Sequence, residues 1–141
     1  MTHKIIIQRF ALLMAWFALA QCGLSLASAD DITPQASVAI ALQQQIPIAL
    51  IDVRTREEFS QGHVPGAINI PYTELDQRIE ELDNYRDSEV IVYCQSGRLA
   101  SLSLQILDTH QFKKTSLLEG HIQGWQAAGL PIEQDINTDD P

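Results

Sequence analysis

The sequence alternates short apolar runs with segments of helical pattern, and this alternation restricts the chain to a small set of folds. The runs Ile46–Val53 and Glu89–Cys94 are rich in aliphatic residues and short enough to be strands buried within a sheet. Helical patterns follow them at Arg56–Gln61 and Leu99–His110. Because strands that alternate with helices form a mainly parallel sheet, the sequence predicts an α/β fold. The length of 141 residues is typical of one domain.

Helix-start signals place the other helices. Thr33 precedes a proline, which is typical of an N-cap and predicts a helix that continues to about Gln44. Thr55 is predicted to cap the short helix after the first buried strand. Thr73 is predicted to cap one continuous helix over residues 74–83, because apolar residues of this segment fall on one face.

A cysteine ends the second buried strand, directly before a helix. Functional sites of parallel sheets lie at this edge. The N–H groups of Gln95, Ser96 and Gly97 can all turn inward, because glycine adopts backbone angles that other residues resist. Arg98 and the N-terminus of the helix add positive charge, so the loop suits an anion and favours a thiolate. Cys94 is therefore a candidate nucleophile, and the alternative is a cysteine that only packs in the core.

The first thirty residues differ in composition from the rest of the chain. Lys4 and Arg9 are the only strong charges before Asp30, and Phe10–Ala20 is an apolar run of signal-peptide length. Small residues at positions 27 and 29 fit a cleavage site. We therefore expect residues 1–29 to be a cleaved secretory signal and the protein to be exported, as to a periplasm.

Two alternatives remain for this segment, namely an uncleaved membrane anchor and a lipid anchor on Cys22. Removal of residues 1–29 takes away two positive charges and no acid, so the formal net charge changes from −9 to −11. A charge of this sign argues against a nucleic-acid surface. Removal of residues 1–29 also leaves Cys94 as the only thiol, so we expect no internal disulfide. Contact with a membrane is expected only through the N-terminal segment.

Three motifs carry a family resemblance. The segment LIDVRTREEFSQGHVPGAINIP (Leu50–Pro71) closely resembles the first signature of the rhodanese family, and VYCQSGRLA (92–100) resembles its active-site loop. The segment LLEGHIQGWQAAGLPIE (117–133) resembles its C-terminal signature. The resemblance covers about residues 32–133, and it is closest to single-domain, exported bacterial rhodaneses.

The resemblance implies one rhodanese-like domain over residues 30–134, with a mostly parallel five-stranded sheet flanked by helices. We expect residues 135–141 to form a mobile tail. The resemblance also implies a sulfurtransferase that needs neither a cofactor nor a metal. A cysteine takes a sulfane sulfur from thiosulfate or a related small anion and becomes a persulfide. The sulfur then passes to a thiophilic acceptor such as cyanide, a thiol or the thiol of a partner protein.

The same resemblance assigns roles to individual residues. Cys94 becomes the nucleophile and persulfide carrier, and the N–H groups from Gln95 to Leu99 line the substrate pocket. Arg98 becomes the anion contact. We expect Asp52 and Arg54 to brace the loops beside the site rather than to react.

The sequence departs from the common family pattern at two places. The arginine of the loop often stands five residues after the cysteine, but Arg98 stands four after it and Leu99 occupies the fifth place. His121 stands where a second glycine is frequent, so we expect a reshaped turn there.

Two other functions compete with sulfur transfer. A cysteine phosphatase or arsenate reductase usually has its arginine six residues after the cysteine, and no basic residue stands there in this chain. A rhodanese-like domain can also serve as a non-catalytic binding or sulfur-carrier module, although such modules typically lack the cysteine.

Overall fold

A computed structural model describes residues 31–135 of the chain. The predicted signal segment, with Cys22, lies outside the described residues, as do residues 136–141 of the predicted tail. No helix within residues 31–135 is long and apolar enough to span a membrane. The elements follow one another in this order: β1 (Ile32–Thr33), α1 (Gln35–Gln43), β2 (Ile48–Asp52), α2 (Arg56–Gln61), β3 (Ile68–Asn69), α3 (Tyr72–Leu75), a 3₁₀ helix (Ile79–Tyr85), β4 (Glu89–Tyr93), α4 (Arg98–Thr109), β5 (Thr115–Leu118) and α5 (His121–Ala127).

The five strands form one sheet in the order β1-β5-β4-β2-β3, and every pair of neighbours is parallel. The central strand β4 pairs with β2 over five positions, from Ile48 beside Glu89 to Asp52 beside Tyr93. Aliphatic residues fill both strands, as a sheet covered on both faces requires. The predicted α/β fold, a five-stranded sheet flanked by helices, is confirmed.

The side chains of β4 alternate between two apolar clusters on opposite faces of the sheet. Val90 and Val92 belong to the cluster that also contains residues of α3, α4 and the 3₁₀ helix. Ile91 and Tyr93 belong to the cluster under α1 and α5. Cys94 continues the alternation and lies in the first cluster, on the α4 side. The period of two thus decides which face of the sheet carries the sulfur.

Of the two threonines predicted to cap α1 and α2, only the second is an N-cap. Thr33 is not an N-cap, because pairing with β5 holds it in an extended strand, where its hydroxyl oxygen lies 2.6 Å from that of Ser116. Pro34 occupies the N-cap position of α1 instead. The prediction for Thr55 is confirmed, since its Oγ1 accepts a hydrogen bond from the N–H of Glu58.

The single helix predicted after Thr73 is wrong in its continuity. Pro71 is the N-cap of α3, which ends at Leu75, and the 3₁₀ helix begins only at Ile79. Leu75, Ile79 and Leu82 are nevertheless all buried, as the apolar pattern predicted. Packing against the sheet therefore buries the predicted face of residues 72–85, although this segment is not one regular α-helix.

Candidate active site

Cys94 directly follows the central strand and opens the loop that leads into α4. It is buried, with 2% of its surface exposed, and it is not in a disulfide. The N–H of Gly97 donates a hydrogen bond to Cys94 Sγ over 3.1 Å. This bond requires the loop to fold back on itself, and Gly97 permits that with a φ of +120°. A donor aimed at the sulfur stabilises a negative charge on it.

The backbone of Cys94 is also held from a second element. The N–H of Ile122, in α5, donates to the carbonyl oxygen of Cys94 over 3.1 Å. On the other side, the N–H of Ser101 donates to the carbonyl oxygen of Gly97 and closes the first turn of α4. The cysteine therefore lies between the N-terminal ends of α4 and α5, which fixes the position of its sulfur.

The other predicted loop residues lie around this sulfur with different exposures. Gln95, Ser96 and Arg98 are exposed, and Leu99 is half-buried against the core. Among residues 31–135, the only N–H that donates to Cys94 Sγ is that of Gly97. The side chain of Arg98 forms no hydrogen bond or ion pair within the same region, so its guanidinium is free to meet a ligand from solvent.

Asp52 and Arg54 form a buried ion pair at the carboxyl end of β2, beside the cysteine loop. Arg54 Nη2 lies 2.5 Å from Asp52 Oδ2, and Arg54 Nε donates to both carboxylate oxygens. Arg54 Nη2 also donates to the carbonyl oxygen of Gly62. Burial alone would lower the pKa of Arg54, but the hydrogen bonds and charge of Asp52 outweigh it and raise that pKa. The guanidinium therefore stays charged inside the protein.

A buried tyrosine that sequence reasoning missed connects this pair to the cysteine. Tyr93 precedes Cys94, and its ring centroid lies 5.9 Å from the guanidinium carbon of Arg54. Its hydroxyl accepts a hydrogen bond from the N–H of Val64, and its carbonyl oxygen accepts one from the N–H of Val53. Burial and then the charge of Asp52 raise the pKa of Tyr93, so the hydroxyl stays neutral. Through Arg54 the pair binds the carbonyl oxygen of Gly62, and neither residue forms a described hydrogen bond with Cys94.

A polar cleft of about 320 Å³ adjoins the cysteine loop. It is lined by Arg54, Glu58, Gln61, Gly62, Gln95 and Gln126. A larger cleft of about 480 Å³ lies at the opposite end of the sheet, where Glu89 and Lys114 contribute to its wall. Of these two clefts, only the smaller includes a residue of the cysteine loop, namely Gln95.

His121 is a residue that sequence reasoning noted without assigning a role. It is the first residue of α5 and adopts a φ of +54°, a conformation that favours glycine. Its ring lies against Gly97, and its Nδ1 is buried with no hydrogen-bond partner among the described residues. Burial lowers the pKa of His121, which favours the neutral ring. Only the absence of the usual second glycine signalled this position in the sequence.

A family model for the rhodanese-like domain matches residues 35–128. The chain belongs to this family. The match covers more than half of the chain and includes the Cys94 loop, so the resemblance of the three motifs is confirmed.

Named relatives of this rhodanese-like domain include enzymes and a regulator. The chain is 39% identical over 74 residues to thiosulfate sulfurtransferase PspE of Escherichia coli, across 50% of this chain and 71% of that protein. It is 37% identical over 89 residues to HTH-type transcriptional regulator Rv0324 of Mycobacterium tuberculosis, across 62% of this chain and 38% of the regulator. A solved thiosulfate sulfurtransferase from Pseudomonas aeruginosa superimposes with a TM-score of 0.69 and 30% identity, across 76% of this chain and 20% of that chain. The chain thus spans well under half of the latter two proteins.

Proposed function

We propose that this rhodanese-like domain is a sulfurtransferase that carries a sulfane sulfur on Cys94. The single observation that supports this most strongly is the hydrogen bond from the Gly97 N–H to Cys94 Sγ, at the carboxyl end of the central strand. A sulfur nucleophile needs a stabilised negative charge, and its sulfur must not be bound to a metal or held in a disulfide. Cys94 meets this need, because it is a free thiol beside a fixed donor.

The proposed reaction has two half-reactions that share one covalent intermediate. The Cys94 thiolate attacks the outer sulfur of thiosulfate, the S–S bond of thiosulfate breaks, and sulfite leaves with the electron pair. The outer sulfur of the resulting persulfide is then attacked by the acceptor. Cyanide gives thiocyanate and a thiolate gives a new persulfide, and in both cases the Cys94 thiolate is regenerated. Neither half-reaction needs a cofactor.

The proposed donor is thiosulfate or a related small dianion. The name of the Escherichia coli relative supports this choice. Arg98 supports it as well, since its exposed guanidinium stands at the start of α4, four residues from the nucleophile. In the proposed complex Arg98 meets the sulfonate end of the donor while the Gly97 N–H stabilises the sulfur. A small thiol, cyanide or a thiol of another protein is the proposed acceptor.

The experiment that tests this function is intact-mass analysis of the purified protein after thiosulfate treatment. The wild type is expected to gain about 32 Da, the mass of one sulfur atom, and to lose it again on addition of cyanide. Cys94→Ser should abolish the gain, because serine cannot hold a sulfane sulfur. In the full-length chain, Cys22→Ser is the matched control and should keep it. A gain of the same size in the Cys94→Ser variant would show that the sulfur is carried elsewhere.

A second candidate function is supported by one relative. The 37% identity to a transcriptional regulator shows that domains of this family occur in regulatory proteins. A module of that kind would bind or sense sulfur species without turning them over. Steady-state production of thiocyanate from thiosulfate and cyanide distinguishes the two, because a sensor would form at most one persulfide per chain.

We also propose that the protein works after export, with residues 1–29 removed. The charged start, the apolar run and the small-residue cleavage pattern of the sequence support this. N-terminal sequencing of protein taken from its native compartment is expected to begin at Asp30. A chain that begins at Met1, or one that carries a lipid on Cys22, would contradict the proposal.

A further inference from the structure

The start of α5 is built from two consecutive residues in the left-handed region. Gly120 has a φ of +66° and His121 a φ of +54°. A glycine adopts this conformation freely, but a residue with a Cβ is strained in it. Strain of this kind persists only where the surrounding structure holds it, and such residues concentrate at functional sites. His121 is thus the feature of this turn that needs an explanation.

The ring of His121 lies against the residue that donates to the nucleophile. A Cβ added to Gly97 would lie 2.8 Å from His121 Nε2 and 3.3 Å from His121 Cδ2. The imidazole therefore fills the space beside the Gly97 Cα. The next residue, Ile122, donates its N–H to the carbonyl oxygen of Cys94. The same turn of α5 thus contacts the cysteine loop at both its first and its fourth residue.

The ring gains no hydrogen bond at Nδ1 in this position. Its Nδ1 is buried and has no partner within residues 31–135. An unpaired buried nitrogen is unfavourable, and so is the backbone conformation that delivers the ring. Burial also lowers the pKa of His121, so the ring that packs on Gly97 is neutral. Two unfavourable features at one residue, both beside the nucleophile, indicate a role in the reaction rather than in folding.

We propose that His121 is a positioning residue for sulfur transfer. Its ring holds Gly97 in the conformation in which the Gly97 N–H donates to Cys94 Sγ. The role of His121 in sulfur transfer rests on the proposed function. It concerns the geometry of the loop, however, and can be tested without turnover. Arg98 supplies charge from outside the loop, whereas His121 sets the direction of the donor inside it.

The test compares variants that relieve the same backbone strain at two places. His121→Gly removes both the strain and the ring. Gln111→Gly is the matched control, because Gln111 has a φ of +67° just after the end of α4 and contributes nothing to the loop. Both variants should keep or raise the urea midpoint of unfolding. Only His121→Gly should move the alkylation of Cys94, measured in a Cys22→Ser background with iodoacetamide.

The decisive readout is the pH at which alkylation reaches half of its maximal rate. Loss of the ring is expected to raise this midpoint, because a misdirected donor stabilises the thiolate less. A change of access alone would alter the maximal rate and leave the midpoint in place. The rate of persulfide formation at neutral pH should fall by roughly tenfold with it. Together with unchanged or increased stability, this result would separate positioning from folding.

A pair of conservative variants keeps the test valid if the glycine variant fails to fold. His121→Gln can place a nitrogen near the position of Nε2 and should retain most of the wild-type profile. His121→Asn tolerates the backbone angle equally well but is too short to reach Gly97, so its midpoint should rise. Identical midpoints in wild type, glutamine and asparagine variants would overturn the proposal. A shifted midpoint in a protein that forms no persulfide would leave the positioning role standing and reject the sulfurtransferase function.

Discussion

At the scale of single residues, the chain buries a charged pair beside the cysteine loop. Asp52 is fully buried and Arg54 is 5% exposed, yet neither forms a described hydrogen bond with Cys94. A buried pair of this kind adds little to stability as a unit, but removal of one partner leaves an uncompensated charge in the interior. The pair therefore restricts the carboxyl end of β2 to conformations in which the two charges stay in contact.

Asp52→Asn should therefore destabilise the protein by about 3–5 kcal/mol, because the Arg54 guanidinium loses its partner while it stays buried. Urea unfolding measures this loss. Arg56→Ala is the control, since Arg56 pairs with Glu74 on the surface and its removal should change the urea midpoint little. Folded Asp52→Asn should still gain sulfur from thiosulfate. If it stays fully folded and stable but takes up no sulfur, the pair has a chemical role and does not merely brace the loop.

Arg98 is the exposed charge that the proposed function assigns to the donor. A charged hydrogen bond to the sulfonate contributes about 1.5–3 kcal/mol, so Arg98→Ala should lower kcat/KM for thiosulfate by roughly 10- to 100-fold. It should also raise the pH at which Cys94 alkylates. Arg98→Lys should recover part of the loss, because an ammonium lacks the planar fork of a guanidinium. If neither substitution changes the kinetics, the Gly97 donor holds the anion without Arg98.

The half-buried ring of His121 also makes stability depend on pH. Burial lowers the pKa of His121 in the folded state, whereas in the unfolded chain histidine keeps its ordinary pKa of about 6.5. Below that pH the unfolded chain therefore binds a proton more readily than the folded protein does. Stability should therefore fall as the pH drops below that value and level off below the pKa of the folded state. His121→Gln should lose less stability between pH 8 and pH 5 than the wild type does. An equal loss in both proteins would show that other groups dominate the dependence.

At the scale of elements, sequence patterns predicted correctly those helices and strands that depend on interactions between residues close in the sequence. The strand β4, the cysteine loop and the start of α4 follow from an apolar run, a glycine and a helical pattern. Thr33 failed as a cap because its partner strand β5 lies more than eighty residues further along the chain. The buried residues of α4 include the small Ala100 and Ser103 as well as Leu104 and Leu107. Small side chains let the helix lie close to the sheet, and an apolar pattern does not reveal this.

The short helix α2 depends on its cap more than its neighbours do. It has six residues, none of them fully buried, so the capping box of Thr55 and Glu58 is its main local support. Thr55→Ala should lower the free energy of unfolding by about 1 kcal/mol, while Thr55→Ser should keep most of it. Glu58 also lines the cleft beside the cysteine loop. An equal loss in both variants, measured by urea unfolding, would show that the hydroxyl does not cap the helix.

At the scale of the whole molecule, the site depends on contacts between segments that lie far apart in the sequence. The resemblance of the three motifs was sufficient to predict the family, and the alternation of strands and helices was sufficient to predict the α/β fold. The site itself forms because parallel pairing brings the ends of β2 and β4 together. The contact of His121 with Gly97 joins the third motif to the second, and the bond from Val64 to Tyr93 joins the first motif to the second. Side-chain packing of this kind depends on distances that a linear pattern does not contain.

The same sheet couples its two apolar clusters into one folding unit. In β2, Ala49 and Ile51 face one cluster and Leu50 faces the other, so displacement of this strand would disrupt both clusters. Trp125 reports on the second cluster, because it is fully buried and its indole N–H donates to the carbonyl oxygen of Pro131.

We therefore expect one cooperative transition in urea. With Trp16→Phe, the fluorescence of Trp125 and the far-UV circular dichroism of the whole chain should change with the same midpoint and slope, as a two-state domain requires. Trp125→Phe is the control for dichroism, and its curve should keep a single step even though the indole hydrogen bond is lost. If the fluorescence of Trp125 changes at lower urea than the dichroism does, α1 and α5 leave the sheet first. In that case the turn that carries His121 would separate from the cysteine loop before the domain unfolds.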